Sequence, residues 1–177
     1  MNTKIIFSSV LFLFFASTVF SQIIPTDPTS HKFLYEGVVK IDSMKSEQIF
    51  KKAREWTLRN LKSSDSNVNL DDKDYKSLTS TGNIHLQNRM GLHNYSDMNL
   101  NFKFTIFVKD GRYKYIIENL YISYHKDLLT AGSSLEELDF GTSNKEKVYT
   151  EVNLKINSLL KEFETFIKAN SDSKNDW

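Results

Sequence analysis

The chain has 177 residues, 40% of them hydrophobic and 25% charged, which is the size and composition of a single globular domain. It has no cysteine, and this excludes disulfides, a thiolate nucleophile and a cysteine-based zinc site. Its formal net charge of +1 falls to zero over residues 22–177, which argues against nucleic-acid binding because that function requires a basic surface.

The first 21 residues have the pattern of a secretory signal peptide. A basic residue, Lys4, precedes an apolar run of eleven residues, and Val19 and Ser21 occupy the −3 and −1 positions of a cleavage site after Ser21. The run is shorter than the ~20 apolar residues that a membrane-spanning helix requires. We therefore predict an exported protein, periplasmic or extracellular, that starts at Gln22. The alternative is that residues 1–21 stay attached as an N-terminal anchor. We expect membrane contact only in that case.

The rest of the chain divides into three parts. Residues 22–32 contain both prolines and are predicted to be a loosely ordered linker. Residues 33–169 carry the periodic patterns and are predicted to fold as one α+β domain. Residues 170–177 form a polar tail that we expect to fray.

The domain begins with a predicted strand over residues 33–41, which are rich in β-branched and aromatic residues. A helix follows over residues 47–61, with Ser43 or Ser46 as its predicted N-cap. Lys and Arg lie on the side opposite one mainly apolar stripe, so this helix should bury one face. The stripe consists of Ile49, Ala53, Trp56 and Asn60.

Two strands are predicted between this helix and the middle of the chain. One is short and lies near Asn67–Asp71. The other covers residues 75–87, where Gly82 predicts a bend or a bulge. Residues 88–97 then form a loop.

A β-hairpin is the clearest pattern in the chain. Residues 98–109 and 112–124 have strand patterns on either side of Asp110 and Gly111. Asp-Gly between two strands favours a type I′ turn, in which both turn residues have positive φ. Such a turn fixes the register of the whole hairpin, because a shift of one residue would move every side chain to the other face.

This register assigns each hairpin side chain to one face of the sheet. The pairs expected to meet the helices are Val108–Tyr113, Ile106–Tyr115, Phe104–Ile117 and Leu100–Tyr121. On the opposite face Lys103 and Glu118 form an ion pair. Five large side chains also fall on this opposite face, although an open sheet face is normally polar. They are Phe107, Ile116, Leu120, Ile122 and Tyr124.

The chain ends in a second predicted helix. Residues 125–144 are an irregular connection with a helical turn at Ser134–Leu138, and the helix covers residues 145–169. Its apolar residues recur at spacings of three and four. They are Val148, Val152, Ile156, Leu159, Phe163 and Phe166. The predicted order is β-α-β-β-β-β-α, and the simplest packing is an antiparallel sheet with both helices on one face.

The strand FLYEGVVKID (residues 33–42), the helix that carries Trp56 and the hairpin motif DGRYKY (residues 110–115) resemble a family of exported bacterial domains of unknown function with a TBP-like fold. The resemblance covers most of residues 33–168. It implies the strand–helix–four-strand–helix order and an exported location. It implies no catalytic residues, and a TBP-like fold does not by itself imply DNA binding.

No catalytic residue, metal site or cofactor is predicted. The four histidines are not spaced as metal ligands. The acidic stretch that starts at Asp65 has Leu70 and Lys76 where a calcium loop needs Gly and Glu. The six glycines are scattered, and no serine lies in a nucleophile motif.

The apolar residues on the open face suggest the function, because such a patch is normally covered. The cover could be a second copy of the chain, another protein, a ligand, or residues 125–144 folding back. We predict a non-enzymatic binding or assembly domain of the bacterial envelope that forms a homodimer or binds an envelope protein. The predicted contact residues are Phe107, Ile116, Leu120, Ile122 and Tyr124.

Two alternatives stay open. One is a hydrolase in which an acid, Asp72 or Glu118, acts with His85 or His125 as an acid–base pair. The other is a carrier of a small apolar ligand, which would need a cavity between the sheet and the long helix.

Overall fold

The computed structural model describes residues 24–42, 44–61, 76–87, 95–126, 129–139 and 141–169. These residues form five strands and two helices, in the predicted order β-α-β-β-β-β-α. The elements are β1 (Tyr35–Lys40), α1 (Ser46–Asn60), β2 (Lys76–Leu86), β3 (Tyr95–Lys109), β4 (Arg112–Lys126), β5 (Leu129–Ser134) and α2 (Thr142–Lys168). The predicted α+β class is confirmed. Neither α1 nor α2 has an apolar stretch long enough to cross a membrane.

The five strands form one antiparallel sheet. β3 and β4 are its central hairpin, and β2 pairs with the other edge of β3. The free edge of β4 is shared by two strands, because β1 pairs with its first half and β5 with its second half. β5 lies in the segment that we predicted to be irregular, and its sequence LTAGSS has no alternating pattern. The predicted strand near Asn67–Asp71 lies outside the described residues.

Both helices pack on one face of the sheet, as predicted. An aromatic cluster joins the two layers, and its members are Trp56, Phe104, Tyr113 and Phe163. The ring of Phe163 on α2 lies 5.0 Å from Trp56 on α1, 5.4 Å from Phe104 on β3 and 5.2 Å from Tyr113 on β4, all between centroids and all edge-to-face. Edge-to-face contacts match the positive edge of one ring to the negative face of the next.

The tip of the hairpin docks on the segment before α1. The N–H of Gly111 donates to the Met44 carbonyl (2.9 Å), and the Ile41 N–H donates to the Gly111 carbonyl (2.8 Å). Gly111 has a φ of 70°, whereas Asp110 has no positive φ, so the predicted type I′ turn is wrong. These contacts with a distant part of the chain hold the turn in another conformation.

The cap of α1 also differs from prediction. Ser46 is the first helical residue, and its N–H donates to the Oδ1 atom of Asp110 (2.7 Å). The N–H of Lys45 donates to Oε1 of Gln48 (3.1 Å). The cap therefore comes from the hairpin tip and from within the helix rather than from the side chain of Ser46, and Ser43 lies outside the described residues.

The hairpin keeps the predicted register over its first half, leaves it between Lys103 and Asn101, and returns to it after a second irregularity between Asn99 and Ser96. Pairing runs without a shift from Lys109 opposite Arg112 to Lys103 opposite Glu118. Beyond this point β4 contains one extra residue before pairing resumes at Tyr121, and Asn119 lies there with a φ of 57°. This β-bulge moves the following β4 side chains to the opposite face.

Gly82 does not bend β2. The register between β2 and β3 is continuous from Lys76 to Leu86, so the predicted bulge is wrong. The ring of Phe102 packs over Gly82, and a Cβ atom at position 82 would lie 2.2 Å from Phe102 Cζ. Glycine is needed here because the ring occupies the space of a side chain.

Residues 24–32, which belong to the predicted linker, are mostly exposed but contact the domain at two points. Ile24 is buried in the core, and Thr26 forms a β-bridge with Phe33. The carboxylate of Asp27 accepts the N–H of Ser30 (2.6 Å), which closes the turn between them. Pro28 lies within this turn, whereas Pro25 lies outside it and its carbonyl accepts the N–H of Leu34 (2.9 Å).

Candidate partner-binding face

The bulge at Asn119 decides which β4 residues lie on the open face, the sheet face opposite the helices. Leu120 and Ile122 are 1% and 0% exposed and belong to the core beneath the helices. Tyr124 is half-buried and packs against the same core. The prediction that these three residues lie on the open face is wrong, because one extra residue reverses the alternation.

The sequence contained a sign of this bulge. Unbroken alternation would place Asn119 and Ser123 under the helices and expose Leu120 and Ile122. That arrangement buries polar groups and leaves leucine and isoleucine in water, which is unfavourable on both counts. In the structure Ser123 lies on the open face, where its hydroxyl accepts a hydrogen bond from Asn101 Nδ2 (3.0 Å).

Phe107 and Ile116 do lie on the open face, as predicted. Phe107 is 38% exposed and Ile116 is half-buried. Val38 on β1 joins them and is 59% exposed; we did not predict it, because only the hairpin was assigned to faces. Val38, Phe107 and Ile116 are called the apolar patch below. A depression of about 520 Å³ is lined by these residues together with Lys109, Arg112, Tyr113 and Lys114.

Positive charge lies next to the apolar patch. Lys40, Arg112 and Lys109 are direct cross-strand neighbours on β1, β4 and β3, and they are called the basic row below. Lys114 lies between Val38 and Phe107 in the next row and forms an ion pair with Glu36 (2.8 Å). Three adjacent cations produce a positive potential at the hairpin end of the open face.

The described residues do not assemble the proposed acid–base pair. Glu118 forms the predicted ion pair with Lys103, at 2.9 Å. His85 pairs with Asn99, whereas Glu118 pairs with Lys103. The two candidate residues therefore lie four positions apart along β3 and on different strands. Asp72 and the side chain of His125 lie outside the described residues. Among those described, no three histidine, aspartate or glutamate side chains are close enough to hold a metal ion.

The shifted pKa values have structural causes. Burial raises the pKa of Tyr35, Tyr113 and Tyr115. A higher pKa takes these phenols away from the range in which a general base works. Backbone hydrogen bonds lower the pKa of Asp27 and Asp110, with the N–H of Ser30 as the main donor to the first and that of Ser46 as the main donor to the second.

The structure also bears on the predicted alternatives of an apolar-ligand cavity and of a cover formed by residues 125–144. The aromatic cluster around Phe163 fills the position between the sheet and α2 where an apolar-ligand cavity would lie. The described part of residues 125–144 extends the sheet as β5, and after this strand Leu135 and Leu138 are buried in the core. This segment therefore does not fold back over the apolar patch.

Comparisons with known proteins agree with this architecture. The profile of the domain of unknown function DUF4468, with a TBP-like fold, matches residues 35–123. The crystal structure of a TBP-like protein from Parabacteroides distasonis is similar, with a TM-score of 0.65 and 16% identity over 82% of this chain and 97% of that chain. The crystal structure of a DUF4468 family protein from Bacteroides ovatus gives a TM-score of 0.60 and 15% identity over 87% of this chain and 94% of that chain.

At these identities the two crystal structures show a shared fold and nothing about activity. No curated protein matches the sequence. The family match covers the strand β1, the helix α1 and the hairpin from which the resemblance was drawn. The chain therefore belongs to the DUF4468 family of domains of unknown function with a TBP-like fold.

Proposed function

We propose that this chain is an exported binding protein that recognises a protein partner through the apolar patch on its open face. The observation that carries the proposal is the exposure of Val38 (59%) and Phe107 (38%) on either side of Lys114, on a sheet face where polar residues are expected. Exposed apolar clusters rimmed by polar residues are typical of protein–protein contact sites.

The charge beside the patch indicates what the partner should carry. The basic row lies at one end of the patch, and Lys114 lies within it. A partner with apolar side chains flanked by aspartate or glutamate would fill the depression and be attracted by the positive potential of the basic row. Two copies of this chain that met with their hairpin ends together would bring two basic rows face to face. We therefore favour a different, acidic partner over a homodimer.

Site-specific photocrosslinking in cells tests the proposal. A photoreactive phenylalanine analogue in place of Phe107 should give an adduct of one discrete mass. The same analogue in place of Leu154 on the outer side of α2 is the matched control, because Leu154 is 58% exposed but lies far from the open face. Arg112→Glu should remove the Phe107 adduct, since it reverses the charge next to the patch.

Three outcomes would count against this partner. An adduct at twice the mass of the chain would identify a second copy instead. Equal labelling from positions 107 and 154, or no adduct from 107, would mean that the patch has no partner in the cell.

The exported location is part of the same proposal and rests on residues 1–21. Mass spectrometry of the protein recovered from the envelope fraction should give a chain that starts at Gln22. A chain that retains Met1 would support an N-terminal anchor, and protein found in the cytoplasm alone would contradict export.

A further inference from the structure

A second depression lies on the edge of the sheet, away from the apolar patch. β1 pairs with β4 up to Ile117, and β5 begins to pair at Tyr121. The β4 residues between them carry the bulge at Asn119, and one of them, Leu120, accepts a hydrogen bond from the N–H of Leu135 (2.8 Å), directly after β5. This gap between β1 and β5 is called the notch below. A depression of about 430 Å³ occupies this notch, and it shares no lining residue with the depression at the apolar patch.

The backbone at the notch is unusual. His31 and Asn119 are the two described non-glycine residues with positive φ, each at 57°, and both line this depression. They come from different parts of the fold, the turn before β1 and the middle of β4. Bulges and left-handed residues are concentrated next to binding sites, where they redirect side chains.

The bulge redirects one aromatic ring in particular. Unbroken alternation would have placed Tyr121 under the helices, whereas the extra residue turns it to the open face, where it is 44% exposed. The Tyr121 side chain lines the depression, and its ring extends over Gly132 on β5, because a Cβ atom at position 132 would be 2.5 Å from the Tyr121 hydroxyl oxygen. Tyr121 thus places a partly exposed aromatic side chain at the border of the depression.

The remaining walls are polar and carry both signs of charge. Ser134 is the cross-strand neighbour of Tyr121, and Glu136, Glu137 and Lys32 complete the rim. The Glu136 carboxylate is held in place because its Oε1 atom accepts the N–H of Phe33 (2.8 Å). The site therefore offers fixed hydrogen-bond acceptors, several hydroxyl groups and one aromatic surface.

We propose that this notch binds a neutral saccharide of one or two rings. Two carboxylates on the rim would repel an anion, and the nearby Lys32 ammonium would oppose a cation. A purely apolar ligand would have to desolvate these charged groups without replacing their hydrogen bonds. A sugar ring satisfies both parts of the site, because its hydroxyls pair with carboxylates and amides while its C–H face packs on Tyr121. The volume of the notch lies within the range of small-molecule sites, roughly 300–1,000 Å³.

An NMR titration of the ¹⁵N-labelled protein tests this proposal. The probes are glucose, N-acetylglucosamine and their β-1,4-linked disaccharides. Inorganic phosphate serves as an anionic probe and ethylamine as a cationic probe. We expect saturable shifts of the backbone amides of Asn119, Tyr121 and Ser134 with at least one saccharide. Tyr121→Ala should weaken the affinity by about tenfold or more, which corresponds to the loss of one well-placed contact.

A second variant separates binding from folding. Glu137→Gln keeps the aromatic ring and the size of an exposed side chain, and it should also weaken the saccharide. Phe107→Ala on the apolar patch is the matched control and should leave the affinity unchanged. The proposal is overturned if none of the four saccharides gives saturable shifts, if phosphate or ethylamine alone shifts these amides, or if both notch variants bind as tightly as the original chain. None of these results would bear on partner binding at the apolar patch.

Discussion

The Oδ1 atom of Asp110 accepts a 2.7 Å hydrogen bond from the backbone N–H of Ser46, 64 positions earlier in the chain. Ser46 is the first residue of α1, and the N–H groups in the first turn of a helix have no partner within the helix. A carboxylate at a helix N-terminus also interacts favourably with the helix dipole. A single side chain at the hairpin tip thus fixes the helix layer to the sheet at one end.

This contact predicts a pH-dependent stability. Hydrogen bonds from Ser46 hold the pKa of Asp110 below its ordinary value of 3.8. A lowered folded-state pKa means that the carboxylate stabilises the fold above pH 3.8 and loses this effect as the pH falls through its lowered pKa. Asp110→Asn should therefore lower the thermal midpoint at pH 7, and the difference from the original chain should shrink below about pH 4.

Thermal unfolding of both chains followed by circular dichroism between pH 7 and pH 2 measures this difference. A gap between the two midpoints that is the same at pH 2 as at pH 7 would show that the charge of Asp110 contributes nothing. Asp110→Ala removes the acceptor as well as the charge and should lower the midpoint further than Asp110→Asn does.

Replacing a phenylalanine by alanine on each face of the sheet compares the contributions of the two faces to stability. Phe163→Ala on α2 removes the ring at the centre of the aromatic cluster and should cost about 3–5 kcal/mol in the free energy of unfolding. Phe107→Ala removes the same ring from the open face and should cost about 1 kcal/mol or less, because its ring is already partly in water. Urea unfolding measures both values. Similar losses in the two variants would contradict the one-sided arrangement of the helices.

The bulge makes a prediction about position 119. Asn119 has a φ of 57°, a conformation that asparagine tolerates and that β-branched residues do not. Asn119→Val should therefore destabilise the protein by about 1–2 kcal/mol, while Asn119→Gly should change its stability little. Chemical denaturation of the two variants is the measurement. Equal stability of the valine and glycine variants would mean that the backbone at this position is not left-handed.

A substitution at Ser80 is expected to raise the stability of the protein, unlike the substitutions above. Its side chain points to the helix face of β2 and is 4% exposed, and its Oγ atom has no hydrogen-bond partner among the described residues. A buried hydroxyl without a partner costs free energy, so Ser80→Ala should stabilise the protein by about 1 kcal/mol. Thr79→Ala is a suitable control, because Thr79 Oγ1 shares a hydrogen bond with Thr105 Oγ1 (3.2 Å) and should lose stability. A loss of stability in Ser80→Ala would indicate a partner for this hydroxyl.

The sequence by itself determined the features that depend on local pattern. Helical spacing located α1 and α2, and the Asp-Gly turn located the hairpin and set its register from Lys109–Arg112 as far as Lys103–Glu118. The same alternation placed Phe104 and Ile106 beneath the helices and Phe107 on the open face. These predictions succeeded because periodicity and the length of a hairpin loop act over a few residues, whereas the type of the turn depended on distant contacts.

Only the tertiary structure decided the features that depend on contacts between distant segments. The bulge at Asn119 transferred Leu120 and Ile122 to the core and Tyr121 to the open face, and it lies where the β4 edge passes from β1 to β5. Asp110 became the cap of α1 because the hairpin tip docks beside Ser46, and Val38 joined the apolar patch because β1 pairs with β4. A preference within one strand cannot fix these outcomes, since each depends on which segment supplies the neighbouring hydrogen bonds and buried surface.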